Sequence, residues 1–428
     1  MTHQRSIAII GLGYVGLEIM AAFGQKHKIL AFDVNEERVK ELKNGYDKNE
    51  EVSSELLKSP NITYTTNPDD FAKADFFIVA VPTPINQIRH PDIYNLREAT
   101  RLIGKYLKKG DIVVYESTVY PGATEEICVP VLEKTSGLVC GKDFSVGYSP
   151  ERINPADKQH DIGSIIKIVS GFNPETLEVV ADVYSSVIKA GVHRAPSMRV
   201  AEAAKVIENT QRDINIAFMN DIAILLHKLN MDTVEVINAM KTKWNYVHFQ
   251  PGLVGGHCIG FNSYYLLHKA DEVNYSSDII MAGRRVNEYI SKFIVSEAVK
   301  NLVHLDIPIK HSRVAILGLT YKENCSDLRD TKVIDVISEL KSFGIKAMIH
   351  DPIANVEQAK RVYGIDLIGW NDLHDLDALI LTVSHKEYLE LSKEQIIKML
   401  NPRGLFMDIK EIYSKEDFAG TNITFWRL

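Results

Sequence analysis

The stretch Ile7-Ala8-Ile9-Ile10-Gly11-Leu12-Gly13-Tyr14-Val15-Gly16 decides the fold of the N-terminal part of this chain. Its apolar residues run straight into Gly-x-Gly-x-x-Gly, and the next apolar stretch ends at Asp33. This is the complete strand, turn and helix context of a dinucleotide-binding motif. The first glycine permits the tight turn, the second lets the backbone approach a pyrophosphate, and the third allows close helix packing. We therefore expect Gly11, Gly13 and Gly16 to bind phosphate at a helix N-terminus.

Asp33 indicates which dinucleotide this turn would hold. A carboxylate at this position accepts hydrogen bonds from ribose hydroxyls and repels a 2′-phosphate, so the sequence favours NAD over NADP. Two later strand ends, Val81-Pro-Thr-Pro84 and Glu116-Ser-Thr-Val-Tyr-Pro-Gly122, place hydroxyls where a doubly wound sheet presents its ligands. Read alone, each of these two segments is more often just a loop.

Length, charge and cysteine usage limit the class of protein. The chain has 428 residues, a formal net charge of −7 and four cysteines, Cys128, Cys140, Cys258 and Cys325. The length suggests about three domains, and the acidic balance gives no reason to expect a nucleic acid or an anionic membrane as partner. The cysteines lie far apart without a Cys-x-x-Cys pair, which argues against a metal site or a disulfide framework. A reducing cytoplasm fits best.

Short apolar stretches alternate with helical patterns in the first and last parts of the chain, which predicts parallel sheets covered by helices. Between them, residues 197–230 lack Pro and Gly and carry apolar residues at helical spacing, and further helix follows to about Asn301. The predicted fold is α/β, with two Rossmann-like doubly wound domains joined by a long-helix central domain, at 1–195, 196–300 and 301–428. The predicted strands are Ser6–Ile10, Ile29–Phe32, Phe76–Val81, Ile112–Glu116, Ser145–Tyr148, Ile165–Ser170, Arg313–Leu317, Lys346–His350, Ala378–Val383 and Leu405–Asp408.

Cys258, in Gly255-Gly-His-Cys-Ile-Gly260, is a candidate nucleophile. An isolated cysteine is more often a small buried apolar residue, but the two glycines permit close backbone approach. A helix predicted to begin near Asn262 would direct its positive end toward the thiolate. An aldehyde has no hydride to give until a nucleophile adds to its carbonyl, and a thiol is suited to that addition. A nicotinamide site and such a thiol on one chain therefore indicate oxidation of an alcohol beyond the aldehyde.

Lys205 and Asn209 lie one turn apart on the predicted long helix. They share a face of that helix, so they can converge on one oxygen. Read alone, Lys205 with Glu208 and Arg212 is more often a solvated charged face. The spacing leaves both interpretations open.

Several motifs together give the chain a highly specific resemblance. They are Gly-Leu-Gly-Tyr-Val-Gly (11–16), Val-Pro-Thr-Pro (81–84), Ser-Thr-Val (117–119), Ser-Pro-Glu-Arg-Ile-Asn-Pro (149–155), Ala-Glu-Ala-Ala-Lys-x-x-x-Asn (201–209), Gly-Gly-His-Cys (255–258) and Tyr-Lys-Glu-Asn-x-x-Asp-x-Arg-Asp (321–330). Over essentially its whole length the chain resembles the UDP-glucose/GDP-mannose dehydrogenase family, most closely the bacterial UDP-N-acetylglucosamine and UDP-N-acetylgalactosamine 6-dehydrogenases of the Vi-antigen and O-antigen type. The resemblance implies an N-terminal NAD domain, a C-terminal UDP-binding domain and a helical core that forms a homodimer or larger homo-oligomer. It implies a four-electron oxidation of a UDP-sugar at C6, with NAD as cofactor.

The resemblance also implies roles for individual residues. Cys258 would capture the aldehyde as a thiohemiacetal. Lys205 and Asn209 would stabilise the developing oxyanion. Thr118 and Glu151 would position the water used for proton transfer and hydrolysis. The residues implied at the cofactor are Gly11, Gly13, Tyr14, Val15, Gly16, Asp33, Arg38, Pro82, Thr83, Ser117, Thr118 and Arg329. The residues implied at the nucleotide sugar are Glu151, Arg152, Lys205, Asn209, Gly255, Arg284 and Lys322.

Two adjacent positions depart from the family pattern, and the first of them bears on the chemistry. Four residues after the cysteine the family carries Asp-Pro-Tyr-Tyr, whereas this chain reads Asn262-Ser263-Tyr264-Tyr265. If that aspartate supplies general-base catalysis, its loss costs about 10²–10⁴-fold in rate. If the position chiefly caps the following helix, Asn serves about as well as Asp. The sequence leaves both interpretations open.

The choice of sugar rests on the segment after Glu151. UDP-glucose enzymes carry Phe-Leu-x-Glu there, whereas this chain has Arg152-Ile153-Asn154-Pro155, which favours an N-acetylated hexose. UDP-glucose and UDP-ManNAc remain alternative substrates. A further alternative is a protein that binds NAD and a UDP-sugar but turns over poorly, because Asn262 replaces the acid. Retention of Cys258 and Lys205 argues against that alternative.

Overall fold

The computed structural model describes residues 4–48, 52–86, 88–152 and 162–428, without the side chains of His257 and Cys258. The chain divides into two compact units. The first unit consists of residues 1–209 and 264–276, and the second of residues 210–263 and 277–428. Ile153, Asn154 and Pro155, on which the choice of sugar partly rests, lie outside the described residues.

Within the described part of the first unit, eight strands form one sheet in the order β3-β2-β1-β4-β5-β6-β7-β8. They are β1 (Ile7–Ile10), β2 (Ile29–Phe32), β3 (Ile62–Thr65), β4 (Phe76–Val79), β5 (Ile112–Tyr115), β6 (Ser145–Tyr148), β7 (Lys167–Gly171) and β8 (Val192–Arg194). All neighbours pair in parallel except β6 and β7. The order with β1 between β2 and β4 is that of a doubly wound dinucleotide-binding sheet.

Helices cover both faces of this sheet. Every residue of β1, β2, β4 and β5 is therefore buried. The helices are α1 (Tyr14–Gly24), α2 (Glu36–Lys43), α3 (Ser54–Leu57), α4 (Tyr94–Gly104), α5 (Val129–Ser136) and α6 (Pro174–Ser185). A 3-10 segment spans Pro68–Lys73 and a π-helical segment spans Thr124–Cys128. The predicted parallel sheet covered by helices in the first part of the chain is confirmed.

The middle of the chain is helical, as predicted. Its helices are α7 (Met198–Lys228), α8 (Thr233–Lys241), α9 (His257–Glu272) and α10 (Asp278–His304). The longest, α7, matches the predicted helical segment 197–230 within two residues at each end. In the part of the chain that the structure describes, no helix combines the length and the apolar character needed to span a membrane.

In the second unit, five parallel strands form a sheet in the order β10-β9-β11-β12-β13. The strands are β9 (Val314–Leu317), β10 (Met348–His350), β11 (Leu376–Leu381), β12 (Leu400–Asp408) and β13 (Thr424–Arg427). The helices are α11 (Val333–Ser342), α12 (Val356–Tyr363), α13 (Lys386–Leu389), α14 (Lys393–Met399) and α15 (Lys415–Phe418). The predicted class, two Rossmann-like sheets with a helical middle, is confirmed. The short edge strands β3, β8 and β13 were not predicted.

The two sheets repeat one turn. Gly11 follows β1 with φ of +94°, and its N–H donates to the Phe32 carbonyl at 2.9 Å. Gly318 follows β9 with φ of +97°, and its N–H donates to the His350 carbonyl at 2.9 Å. Both φ values lie in the region that favours glycine. The first strand of each sheet therefore ends in the same backbone conformation.

The second turn differs from the first in its polar contacts. Asp351, which follows β10, accepts hydrogen bonds from the N–H groups of Leu319 and Thr320 at 2.6 and 3.1 Å. Its carboxylate also lies 3.1 Å from His385 Nε2, and both side chains are fully buried. Burial alone would raise the pKa of Asp351, but His385 and the backbone donors outweigh it and lower the pKa to about 2. The Asp351 carboxylate is therefore ionised and held inside the unit.

Candidate active site

The glycine turn of the first unit has the shape that a dinucleotide phosphate requires. A Cβ added at Gly16 would lie 1.8 Å from the Gly11 carbonyl oxygen, so the helix packs too closely there for any side chain. A Cβ added at Gly13 would meet nothing within 4 Å, so this side of the turn is open. Among the residues described there, no side chain caps α1 and no acidic residue lies in its first turn. The N–H groups of the Tyr14–Gly16 turn can therefore receive an anion.

Asp33 follows β2 and borders this turn. Its Oδ2 accepts a hydrogen bond from the Leu12 N–H at 2.7 Å, and its Oδ1 accepts one from the Asn35 N–H at 2.9 Å. The side chain is partly exposed, so its remaining lone pairs can reach a ribose hydroxyl. These contacts hold the carboxylate beside the glycine turn, and its predicted contact with a ribose stays a prediction.

Arg38 supports the same turn from inside the unit. Its Nε donates to the Leu12 carbonyl at 3.2 Å and its Nη2 pairs with Asp47 at 2.8 Å. The residue is buried, and Glu41 lies 3.7 Å from its Nη1. The described contacts of Arg38 are thus with protein groups, and its predicted contact with the cofactor stays a prediction.

The two strand-end segments that follow β4 and β5 are joined by their hydroxyl groups. Ser117 Oγ donates to the Val81 carbonyl at 2.7 Å, and Thr83 Oγ1 donates to the Thr118 carbonyl at 2.7 Å. Pro82 lies between these attachments and is exposed. The predicted cofactor residues Pro82, Thr83, Ser117 and Thr118 are therefore brought together at the carboxyl edge of the sheet, where ligands bind in this fold.

Glu151 and Lys205 form a buried ion pair. Lys205 Nζ lies 3.1 Å from Glu151 Oε2, and the two residues are 8% and 4% exposed. Asn209, one turn along α7, is 5% exposed, and its Nδ2 has no hydrogen-bond partner among the residues the structure describes. The interpretation of Lys205 as part of a solvated charged face is wrong, because it is buried while Glu208 and Arg212 are exposed. A cation, a carboxylate and an amide are thus available for oxyanion and proton chemistry.

Arg152 lies at the edge of this pair. Its Nη2 is 3.5 Å from Glu208 Oε2, and the side chain is partly exposed. It is the last described residue before the gap at 153–161. Its predicted contact with the sugar stays a prediction.

A second buried ion pair, between Lys167 and Glu116, was not predicted from the sequence. Lys167 of β7 donates to the Glu116 carboxylate and, at 2.9 Å, to the Pro150 carbonyl. Tyr184 also donates to Glu116. Burial raises the pKa of Glu116, and the Lys167 charge opposes that rise. Since Glu116 precedes Ser117 and Pro150 precedes Glu151, this pair joins the segments that carry two of the predicted site residues.

Glu202 was also missed, although it stands in a quoted motif. It is fully buried on α7 and accepts hydrogen bonds from the N–H groups of Gly122 and Thr124 at 2.5 and 2.9 Å. Burial raises the pKa of Glu202 to about 7, although these hydrogen bonds work against the rise. The segment that follows Thr118 is therefore attached to the helix that carries Lys205.

In the second unit, the segment before Cys258 makes a turn that only glycine permits. Gly256 has φ of +80°, and its N–H donates to the Asp330 carbonyl at 3.0 Å. A Cβ added at Gly255 would lie 2.9 Å from the same carbonyl oxygen. This packing explains Gly255 without a ligand, and its predicted contact with the sugar stays a prediction.

Helix α9 begins at His257, so the predicted helix start near Asn262 is wrong. The left-handed Gly256 ends the turn, so the helix can start at once. Cys258 is the second residue of the helix and lies in its positive first turn. Asn262 is buried inside the helix, so the interpretation of residue 262 as the helix cap is wrong. Ser263, next to it, donates to Asp213 at 2.7 Å.

The remaining predicted ligand residues lie in the second unit. Arg284 is buried and pairs with Asp213 at 2.8 Å. Arg329 is exposed and pairs with Asp327, with Nε 2.9 Å from Oδ1. Lys322 is partly exposed, and its carbonyl accepts from Thr320 Oγ1 at 2.9 Å. The roles of Arg284 and Lys322 at the sugar and of Arg329 at the cofactor stay predictions.

Three profiles of the UDP-glucose/GDP-mannose dehydrogenase family match the chain: the NAD binding domain at residues 5–188, the central domain at 199–289 and the UDP binding domain at 315–415. The protein CapL of Staphylococcus aureus is 54% identical over 99% of this chain and 100% of its own length. A UDP-N-acetyl-D-glucosamine 6-dehydrogenase of Pseudomonas aeruginosa is 48% identical over 96% of this chain and 97% of its own length.

A solved structure supports the same relationship. The UDP-D-ManNAc dehydrogenase of Pyrococcus horikoshii superposes with a TM-score of 0.89 at 26% identity, covering 98% of both chains. Fold, motifs and homology agree over nearly the full length of the sequence. The chain therefore belongs to the UDP-glucose/GDP-mannose dehydrogenase family and is an NAD-dependent oxidoreductase with a UDP-binding domain.

Proposed function

We propose that this protein oxidises the C6 hydroxyl of a UDP-N-acetylhexosamine, UDP-GlcNAc or UDP-GalNAc, to the UDP-uronic acid, for the synthesis of a surface polysaccharide. The observation that carries the chemistry is the buried Lys205–Glu151 pair with Asn209 one turn away on the same helix. The observation that favours the N-acetylated sugar is the relative named UDP-N-acetyl-D-glucosamine 6-dehydrogenase, 48% identical over 96% of the chain.

The proposed reaction has four chemical steps. The alcohol loses a hydride and a proton to become the aldehyde, and the Cys258 thiolate adds to the aldehyde carbon to form a thiohemiacetal. That adduct loses a second hydride and proton to become a thioester, and water then cleaves the carbon–sulfur bond. The chemistry supplied by NAD bound on the Gly11–Gly16 turn is hydride acceptance in both oxidations. One sugar, two NAD⁺ and one water thus give one carboxylate, two NADH and three protons.

The protein side chains stabilise charge and move protons in this scheme. The Lys205 ammonium and the Asn209 amide stabilise the oxyanion of the thiohemiacetal and of the hydrolysis intermediate. Glu151 is paired with Lys205, so it can accept a proton from water as that water attacks the thioester. Thr118 presents its hydroxyl beside the same water.

Asn262 sets the expected rate of the last step. Since residue 262 lies inside α9 rather than at its cap, a capping role does not account for a polar residue at this position of the chain. An amide cannot act as a carboxylate base, so hydrolysis here falls to Glu151. A contribution of about 10²–10⁴-fold is typical of a general base. We therefore expect thioester hydrolysis to limit turnover.

Three alternatives remain for the substrate and the activity. The P. horikoshii structure is that of a UDP-D-ManNAc dehydrogenase, so UDP-ManNAc is a second candidate sugar, and UDP-glucose is a third. A protein that binds NAD and a UDP-sugar without turnover is the alternative of another class. Cys258, Lys205, Asn209, Thr118 and Glu151 are all present, which favours an active enzyme.

The test is the amount of NADH formed per sugar consumed, with UDP-GlcNAc, UDP-GalNAc, UDP-ManNAc and UDP-glucose offered separately. Two NADH per sugar and a uronic acid product with one N-acetylated substrate support the proposal. Binding of NAD and UDP-sugar without NADH, together with activity gained in Asn262→Asp, favours the binding protein. If the parent protein forms NADH and Cys258→Ser does not, the alternative of a binding protein without turnover is excluded.

We further propose that the protein is a cytoplasmic homodimer. Exposed apolar residues on α7 share one side of the helix, because Val200, Ile207, Phe218 and Leu225 follow at spacings that nearly complete whole turns. An identical helix from a second copy would cover this stripe in a symmetric contact. Light scattering should report a dimer for the parent and a monomer for Phe218→Glu. A nucleophilic thiol is also kept reduced in the cytoplasm.

A further inference from the structure

A wholly buried carboxylate in the second unit gathers donors from two other helices. Asp213 of α7 accepts from Arg284 Nη1 at 2.8 Å and from Asn287 Nδ2 at 2.7 Å, both on α10. Its other oxygen accepts from the Ser263 hydroxyl of α9 at 2.7 Å. Because Cys258 lies in the first turn of α9, the carboxylate ties the cysteine-bearing helix to α7.

Asn220, two turns further along α7, fixes the chain on the other side of Cys258. The Gly252 N–H donates to Asn220 Oδ1 at 2.7 Å, and Asn220 Nδ2 donates to the Gly252 carbonyl at 3.1 Å. The same amide donates to Asn287 Oδ1 at 2.8 Å, which joins it to the Asp213 network. One buried side chain thus satisfies both polar backbone groups of Gly252.

Stability alone does not account for these polar contacts. Replacing both partners of a buried ion pair by well-packed apolar residues often leaves stability unchanged or increases it, so stability is weak ground for explaining the Asp213–Arg284 pair. Hydrogen bonds fix direction and register in a way that apolar packing does not. The chain is held at Gly252, at Gly256 through the Asp330 carbonyl, and at Ser263. Cys258 lies between these attachments.

We propose that Asp213 and Asn220 are positioning residues for Cys258. Asp213 acts through Ser263 on the helix that carries the thiol, and Asn220 acts on the segment that leads into it. The proposal rests on the function proposed above. A displacement of about 1 Å at a reacting group costs about 10²-fold in rate. With these contacts loosened, the thiol captures the aldehyde more slowly, the aldehyde escapes, and fewer than two NADH form per sugar.

Ser263→Ala tests this with a small change, since it deletes one hydroxyl and leaves Asp213 its bonds to Arg284 and Asn287. Ser291→Ala is the matched control, because this α10 hydroxyl is also buried but has no hydrogen-bond partner among the described residues. We expect Ser263→Ala to lower turnover about tenfold or more, and to release aldehyde that semicarbazide traps. Alkylation of Cys258 by iodoacetamide, followed by peptide mass spectrometry, should also slow. Ser291→Ala should match the parent.

Two further variants test the two attachments separately. Ser263→Thr keeps a hydroxyl for Asp213 and should keep the NADH ratio near two. Asn220→Asp keeps an acceptor for the Gly252 N–H but loses the donor to the Gly252 carbonyl. It should therefore lower the ratio as Ser263→Ala does.

The number of NADH formed per sugar distinguishes a positioning role from a purely structural one. A merely structural role lowers the amount of active protein, but each active molecule still forms two NADH per sugar. A ratio of two in both Ser263→Ala and Asn220→Asp, with unchanged alkylation of Cys258, overturns the positioning proposal and leaves the function intact. If the parent forms no NADH with any UDP-sugar, the proposed function fails, and the alkylation rates of the same variants still decide the positioning.

Discussion

Replacing Lys167 by methionine should destabilise the first unit, because it leaves the Glu116 carboxylate buried without its cation. The two side chains are 4% and 0% exposed and form a direct ion pair. Methionine has a similar length and no charge, so packing changes little. Removing one partner of a buried pair typically costs about 3–5 kcal/mol.

The size of this loss should depend on pH. Burial already raises the pKa of Glu116, and loss of the Lys167 charge should raise it further. A carboxyl group whose pKa is higher in the folded than in the unfolded state takes up a proton on folding. The stability that this protonation provides is complete below the unfolded pKa and is lost as the pH rises through the folded pKa. The deficit of Lys167→Met should therefore be small near pH 5 and approach about 3–5 kcal/mol near pH 8.

Hydrogen exchange of peptides that cover β5 and β7 is the suitable assay, because Trp244, Trp370 and Trp426 all lie in the second unit and their fluorescence reports on it. The matched control is the double variant Lys167→Met with Glu116→Gln, in which no charge is left uncompensated. This control should recover most of the lost stability at pH 8. An equal deficit at pH 5 and pH 8, or no recovery in the double variant, would refute the reasoning.

Three more outcomes are expected. Asp33→Ala should weaken NAD binding and reduce the preference for NAD over NADP, which titration with both cofactors checks. An unchanged ratio of the two affinities would contradict the role of Asp33. Asn262→Asp should speed thioester hydrolysis by about 10²-fold or more, seen as a faster steady state after the first turnover; an unaltered rate would mean that Glu151 suffices. The pKa of Glu202 is raised to about 7 from an ordinary 4.5, so its contribution to stability falls as pH rises between these values. Glu202→Gln should remove this pH dependence of the free energy of unfolding, which urea unfolding between pH 5 and pH 8 measures.

Features that depend on neighbouring residues in the sequence could be predicted. The glycine turn after β1, its carboxylate at Asp33 and the long helix α7 follow from local spacing and composition. The start of α9 could not be read in this way. It depends on Gly256 adopting φ of +80° against the Asp330 carbonyl, which lies far along the chain.

Burial of charge was the main feature that the sequence did not reveal. Lys205 lies among charged residues on α7, and only its pairing with Glu151, far away in the sequence, shows that it is buried. Lys167 did carry a signal, since it is the one charged residue in the apolar run Ile165-Ile-Lys-Ile-Val169. A lysine inside an otherwise apolar strand needs a buried partner, but the sequence alone does not identify that partner as Glu116. The edge strands β3, β8 and β13 are short and only partly buried, so their apolar pattern is weak.

The repeated turn bears on how the two sheets avoid competing for one ligand. The first turn offers bare backbone at Gly13 and a partly exposed carboxylate at Asp33. The second places the buried Thr320 at the matching position and engages Asp351 with His385. A dinucleotide that reached the second turn would meet a side chain where it needs space, and a carboxylate with no capacity left for ribose. NAD should therefore compete only weakly with the UDP-sugar for the second sheet. This holds even though the first strand of each sheet ends in the same backbone conformation.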